Sequence, residues 1–124
     1  MKRFRFLPLL ILSFTLVTPA GWANPEEVYV ARVEGIIAPS LGDFFASAIR
    51  KAEDGAAHAI VFELDTPGGL DTSMRIIIKE ILRSPFPVII YVSPSGARAA
   101  SAGAFITIAA HVAASAGMLE SLKA

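Results

Sequence analysis

The sequence predicts an α/β domain in which the strands of a parallel β-sheet alternate with helices. Three observations carry that prediction. Short apolar runs rich in β-branched residues recur at 28–37, 58–64 and 88–92; the stretches between them repeat apolar residues at helical spacing; and Gly and Pro mark the joints. Strand and helix in this order imply parallel pairing through right-handed crossovers.

The chain has 124 residues, room for one domain, and its start reads as targeting rather than fold. Lys2, Arg3 and Arg5 give a basic opening, Phe6 to Val17 an apolar run, and Pro19 to Ala23 a break rich in small residues. This is the layout of a signal peptide, residues 1–23, cut after Ala20 or Ala23. The apolar run, about a dozen residues, is short of the roughly 20 that cross a bilayer, which favours cleavage. A retained signal anchor is the alternative, with Trp22 at the interface. The domain then occupies 24–124.

Val28, Val30, Val33, Ile36 and Ile37 predict a first strand ending before Pro39. Ser40, with Asp43 three residues on, is placed as the N-cap of a helix whose apolar face is Leu41, Phe44, Phe45, Ala48, Ile49 and Ala52, closed by Gly55. His58 to Leu64 has the continuous apolar character of a strand buried in a parallel sheet. After the loop Asp65-Thr66-Pro67-Gly68-Gly69, a second helix runs from Asp71 to Arg83 on Met74, Ile77, Ile78, Ile81 and Leu82. Pro85 and Pro87 break it, and Val88 to Val92 forms the third strand. Ala97 to Ala114, dominated by alanine, is expected to be one small-residue helix.

Composition excludes several function classes. Three of the eleven Lys and Arg precede Ala23, so eight basic residues face eleven acidic ones in the domain, and no nucleic-acid partner is expected. The chain has no cysteine, which removes disulfides and thiolate metal sites. With no His cluster and no Gly-Lys-Ser/Thr phosphate loop, neither a metal nor a cofactor is expected. About 100 residues is a small core, so association with another chain would help to bury surface.

The unusual residues concentrate in two loops, 65–69 and 93–103, both at carboxyl ends of strands, where ligands of open α/β sheets gather. Gly68 and Gly69 leave backbone N–H groups unshielded and able to bind an anion. Ser101 stands between alanines and Gly103 near a predicted helix start, where backbone dipoles favour negative charge and small neighbours admit a substrate. That setting suits a nucleophile, which needs a base within hydrogen-bond reach. His111, about 15 Å further along a continuing helix, is too far to serve and reads as a capping or core residue. Lys79 reads as a solvated charge opposite the apolar face of its helix, and Lys123 falls in the last few residues. A Gly-x-Ser-x-Gly elbow fits less well, because Ala99 replaces its first glycine and Ser101 does not follow the strand directly.

The strand and loop Phe62-Glu63-Leu64-Asp65-Thr66-Pro67-Gly68-Gly69, the stretch from Tyr91 through Ser93-Pro94-Ser95-Gly96 to Ser101-Ala102-Gly103, and Ala109-Ala110-His111 together resemble the NfeD-type membrane-associated serine proteases. These are relatives of the ClpP protease with a ClpP/crotonase-like fold, and the resemblance covers roughly Val28 to Ala113. It implies Ser101 as the catalytic nucleophile, the N–H groups of Gly69 and Ala102 as the oxyanion hole, and Gly68 as the residue that shapes the substrate loop. It implies a Ser-Lys dyad whose lysine lies beyond Ala124, so that the chain would be the N-terminal half of the domain. It also implies peptide substrates from hydrophobic segments of membrane or exported proteins, stomatin-like ones among them, a homodimer, and an extracytoplasmic, membrane-associated location. Signal-peptide peptidases of the Ser-Lys type argue less well from the Asp-Thr-Pro-Gly-Gly loop, and acyl-CoA hydratases sit badly with a secretory signal. The alternative from another class is a catalytically silent fragment acting as a peptide-binding or assembly module.

Overall fold

A computed structural model describes residues 26–123. The proposed signal segment, 1–23, lies outside them. Strand β1 (Val28–Glu34) leads to helix α1 (Pro39–Asp54), β2 (Ala59–Asp65), α2 (Asp71–Arg83), β3 (Val88–Val92), α3 (Ala102–Ala109), β4 (Val112–Ser115) and α4 (Ala116–Ser121). The four strands form one parallel sheet in the order β1-β2-β3-β4. Because every crossover steps to the next strand in the same direction, right-handed connections put α1, α2 and α3 on one face of the sheet.

Strand alternation matches that layering. In β2, Ile60, Phe62 and Leu64 are buried while their neighbours are half-buried. Register places Ala31, Phe62, Ile90 and Ala113 in one row, and Val33, Leu64 and Val92 in another. The helices cover this face with Phe45, Ile49 and Ala52 of α1, Met74, Ile77 and Ile81 of α2, and Ala102 and Ile106 of α3. Phe45 stacks on Phe62 with ring centroids 4.0 Å apart and planes 21° from parallel, which pins α1 to the central part of the sheet.

Three expectations need correction. Helix α1 begins at Pro39, not after Ser40: Ala38 is the N-cap, and no side chain caps the end. Proline fits the first helical turn because its absent N–H has no partner there in any helix. The predicted helix over 97–114 is divided into the eight-residue α3 and the strand β4. Ala113 and Ala114 have strong helix propensity, but pairing with Ile90 and Tyr91 completes an otherwise open edge and overrides it. His111 consequently lies between α3 and β4, where its N–H donates to the Val88 carbonyl at 3.0 Å and its Nδ1 accepts the Val88 N–H at 3.1 Å.

Phe62→Ala removes a fully buried ring from both the sheet row and the stack, and the expected loss is about 3–5 kcal/mol of folding stability. Urea unfolding measures it. A loss below about 1 kcal/mol would show that the Phe45 and Phe62 pair does not anchor α1.

Candidate active site

The site is assembled where three loops leave the carboxyl edge of the sheet, and backbone hydrogen bonds extend the sheet into those loops. The Gly35 N–H donates to the Asp65 carbonyl at 3.0 Å, carrying the β1–β2 ladder past the end of β1. Ile37 and Gly69 form a parallel bridge: the Ile37 N–H donates to the Gly68 carbonyl at 2.9 Å, and the Leu70 N–H to the Ile37 carbonyl at 2.8 Å. Thr66 and Ala99 form a second bridge, with the Thr66 N–H donating to the Arg98 carbonyl at 2.7 Å and the Ala100 N–H to the Thr66 carbonyl at 3.1 Å. Asp65 adds a side-chain tie, its Oδ1 accepting the Arg98 N–H at 2.9 Å. The glycine loop is thus held on one side by the β1–α1 connection and on the other by the segment that leads to Ser101.

The glycines are needed for different reasons. Gly68 has φ of +109°, and a Cβ there would lie 2.9 Å from the Ser101 Cβ and 3.5 Å from its Oγ. Gly69 has ordinary φ but presses its Cα on the backbone of Ile37, so that a Cβ would collide with the Ile37 carbonyl oxygen and lie 2.6 Å from its nitrogen. Both are close-approach positions: Gly68 brings the loop against Ser101, and Gly69 seats it on Ile37.

Ser101 is exposed and stands as the N-cap of α3 with φ of +50° and ψ of −115°, a positive-φ backbone that costs a non-glycine residue on the order of 1–3 kcal/mol. The three-residue approach Arg98-Ala99-Ala100, tied to Thr66, turns sharply there into the helix. This geometry is shared with nucleophile elbows, although the local sequence lacks their first glycine. Among the described residues no side chain hydrogen-bonds the Ser101 hydroxyl. The N–H groups of Gly69 and Ala102 have no acceptor among those residues either, whereas the Gly68 N–H is taken by the Thr66 hydroxyl at 3.1 Å. Two free donors therefore lie in the chain next to the exposed, strained serine and next to the glycine that packs against it.

All four residues singled out in the sequence, Gly68, Gly69, Ser101 and Ala102, converge on this one edge. The rejected bases stay apart from it. Lys79 is exposed on α2, Lys123 follows α4, and His111 spends its Nδ1 on the Val88 N–H. Thr66 is the participant that sequence reasoning passed over: it is fully buried, and its signal was a hydroxyl two residues before a glycine, the spacing of a local side-chain turn. Among the described residues no group of His, Cys, Asp or Glu is spaced to hold a metal ion.

A sequential parallel sheet, helices stacked on one face, and a glycine loop set against a serine turn define a ClpP-like α/β domain. The chain belongs to the NfeD1b N-terminal domain family, whose model matches residues 27–118. It is 48% identical over 108 residues to the membrane-bound protease PH1510 of Pyrococcus horikoshii, a match covering 87% of this chain and 24% of that protein. It is 35% identical over 111 residues to membrane protein NfeD1b of Bacillus subtilis, covering 88% of this chain and 25% of that protein. The chain thus spans about a quarter of the length of these relatives.

Two solved structures carry the comparison further. The 1510-N membrane-bound stomatin-specific protease, as a serine-to-alanine mutant, superposes with a TM-score of 0.70 at 46% identity, over 71% of this chain and 42% of that one. A lysine-to-alanine mutant of the same protease, in complex with a substrate peptide, gives 0.70 at 48% identity over 71% and 40% of the two chains. ClpP1 of Listeria monocytogenes, at 21% identity and a TM-score of 0.60, shares the fold.

His111→Ala deletes the acceptor for the Val88 N–H, and a loss of about 1–3 kcal/mol in stability is expected from leaving that donor, on a buried residue, without its partner. Chemical denaturation reads the loss. Labelling of Ser101 by a fluorophosphonate is expected to be unchanged in the same variant; a matching fall in labelling would return His111 to the site.

Proposed function

We propose that this chain is the N-terminal part of a serine endopeptidase domain, exported by residues 1–23 and acting outside the cytoplasm on hydrophobic segments of membrane or exported proteins, stomatin-like substrates among them. The observation that carries the reading is the exposed Ser101 at φ +50°, packed against Gly68, with the neighbouring N–H groups of Gly69 and Ala102 left without an acceptor among the described residues. The relatives described as membrane-bound proteases, one of them in complex with a substrate peptide, support the same reading.

In the proposed reaction the Ser101 hydroxyl attacks the carbonyl carbon of the scissile peptide bond as a lysine outside this sequence takes its proton. The carbonyl oxygen becomes an oxyanion, and the Gly69 and Ala102 N–H groups donate to it. Removing one such donor from an oxyanion hole typically raises the barrier by about 3 kcal/mol. Collapse of the tetrahedral intermediate expels the amine, which takes the proton back from the lysine, and water then releases the acyl group from Ser101. Gly68 keeps the loop in contact with the serine and clears the approach for an extended peptide.

Membrane association and dimer formation belong to the same proposal. No helix among the described residues is long and apolar enough to cross a membrane. Leu82, Phe105 and Ile108 leave apolar surface exposed along α2 and α3, and this supports association with a further polypeptide surface.

A second reading, a peptide-binding module without catalysis, is favoured by one observation: no base among the described residues reaches Ser101. Mass spectrometry after fluorophosphonate treatment separates the two, with labelling of Ser101 expected in the wild-type chain or in a longer chain that includes the lysine segment. Binding of peptide without labelling in either chain would establish the module instead. Ser101→Gly is expected to abolish labelling while raising stability by about 1 kcal/mol, since glycine adopts the positive φ without strain. A loss of stability in that variant would assign Ser101 to packing.

A further inference from the structure

We propose that Thr66 is the positioning residue of this site, its hydroxyl choosing which glycine N–H faces the serine and its methyl setting the seat of α3. The proposal rests on the protease reading of Ser101. Thr66 is fully buried just past the end of β2, and each of its groups is engaged. Its Oγ1 accepts the Gly68 N–H at 3.1 Å and lies 3.4 Å from the Gly68 carbonyl, to which it can donate. That contact consumes the first N–H of the glycine pair and leaves the Gly69 N–H as the free donor. The Thr66 backbone holds Arg98 and Ala100 on either side of Ala99.

The methyl completes the arrangement. A Cβ on Gly103 would lie 2.5 Å from the Thr66 Cγ2, while its next neighbours, the Ala99 Cβ and the Thr66 Cβ, would be 3.6 and 3.9 Å away. Gly103 therefore lacks a side chain because of one methyl group. Ser101 sits between the two segments that Thr66 grips, the approach at 98–100 through its backbone and the first turn of α3 through its methyl, so a single buried residue fixes the serine turn from both ends. Serine at 66 would keep the hydroxyl and lose the seat; valine would keep the shape and lose the selection of the N–H.

The test compares Thr66→Val, Thr66→Ser, Gly103→Ala and the double variant Thr66→Ser with Gly103→Ala in the full chain. Amide hydrogen exchange at Gly68, urea unfolding and the rate of fluorophosphonate labelling at Ser101 are read for each. Thr66→Val is expected to speed Gly68 exchange and slow labelling about tenfold, the scale of one buried hydrogen bond, with Thr66→Ser close to wild type in both. Gly103→Ala is expected to be destabilised, and Thr66→Ser to restore most of that loss by removing the clashing methyl. Wild-type exchange and labelling in Thr66→Val would overturn the proposal, as would equal destabilisation by Gly103→Ala with and without Thr66→Ser. If Ser101 takes up no probe either in this chain or in the longer chain that includes the lysine segment, the protease reading fails, and exchange together with the Gly103 variants decides the role of Thr66 alone.

Discussion

The contact on which the site depends is the approach of the glycine loop to the serine turn, a distance that leaves no room for a Cβ at Gly68. Side chains add only a few ties, such as Asp65 Oδ1 on the Arg98 N–H. Backbone hydrogen bonds carry the contact, prolonging the parallel ladder beyond the ends of β1, β2 and β3 through the bridges at Ile37 and Gly69 and at Thr66 and Ala99. A ladder is rigid in the way a loop is not, since each N–H and carbonyl it pairs would otherwise be buried without a partner. The strained φ at Ser101 persists because the chain is fixed on both sides of it.

Much of this was legible in the sequence, and the unread parts have physical causes. The bounds of α2 and β3 follow from Asp71, Arg83 and the two prolines, because amphipathic period and proline chemistry are local signals. The break between α3 and β4 escaped reading because alanine runs speak for helix, and the preference of Ala113 for Ile90 exists only once β3 is in place. Pro39 did carry a local signal for the first helical position, but Ser40 and Asp43 imitated a capping box one residue further on.

The same division runs through the site. Gly68, Gly69 and Ser101 could be named from residue type, since backbone freedom, unshielded N–H groups and small neighbours are properties a sequence displays, whereas Ala102 came from the family resemblance. The strain at Ser101 and the fit of the Thr66 methyl to Gly103 could not, because both arise between segments more than thirty residues apart. His111 shows the reverse case. A histidine near a serine invites a catalytic reading, yet its ring is spent on closing the start of β3, which shows that proximity in sequence carries little weight beside hydrogen-bond satisfaction.

The strand order has a consequence for how such a chain is made. Each strand pairs with the one completed just before it, so the sheet grows at a single advancing edge and never waits for a distant segment to return. Loop closures stay short, and the entropic barrier to each addition stays low. A polypeptide emerging from its amino end can bury every new strand as it appears, and at the advancing edge only the last strand's row of amides is open to mispairing with another chain.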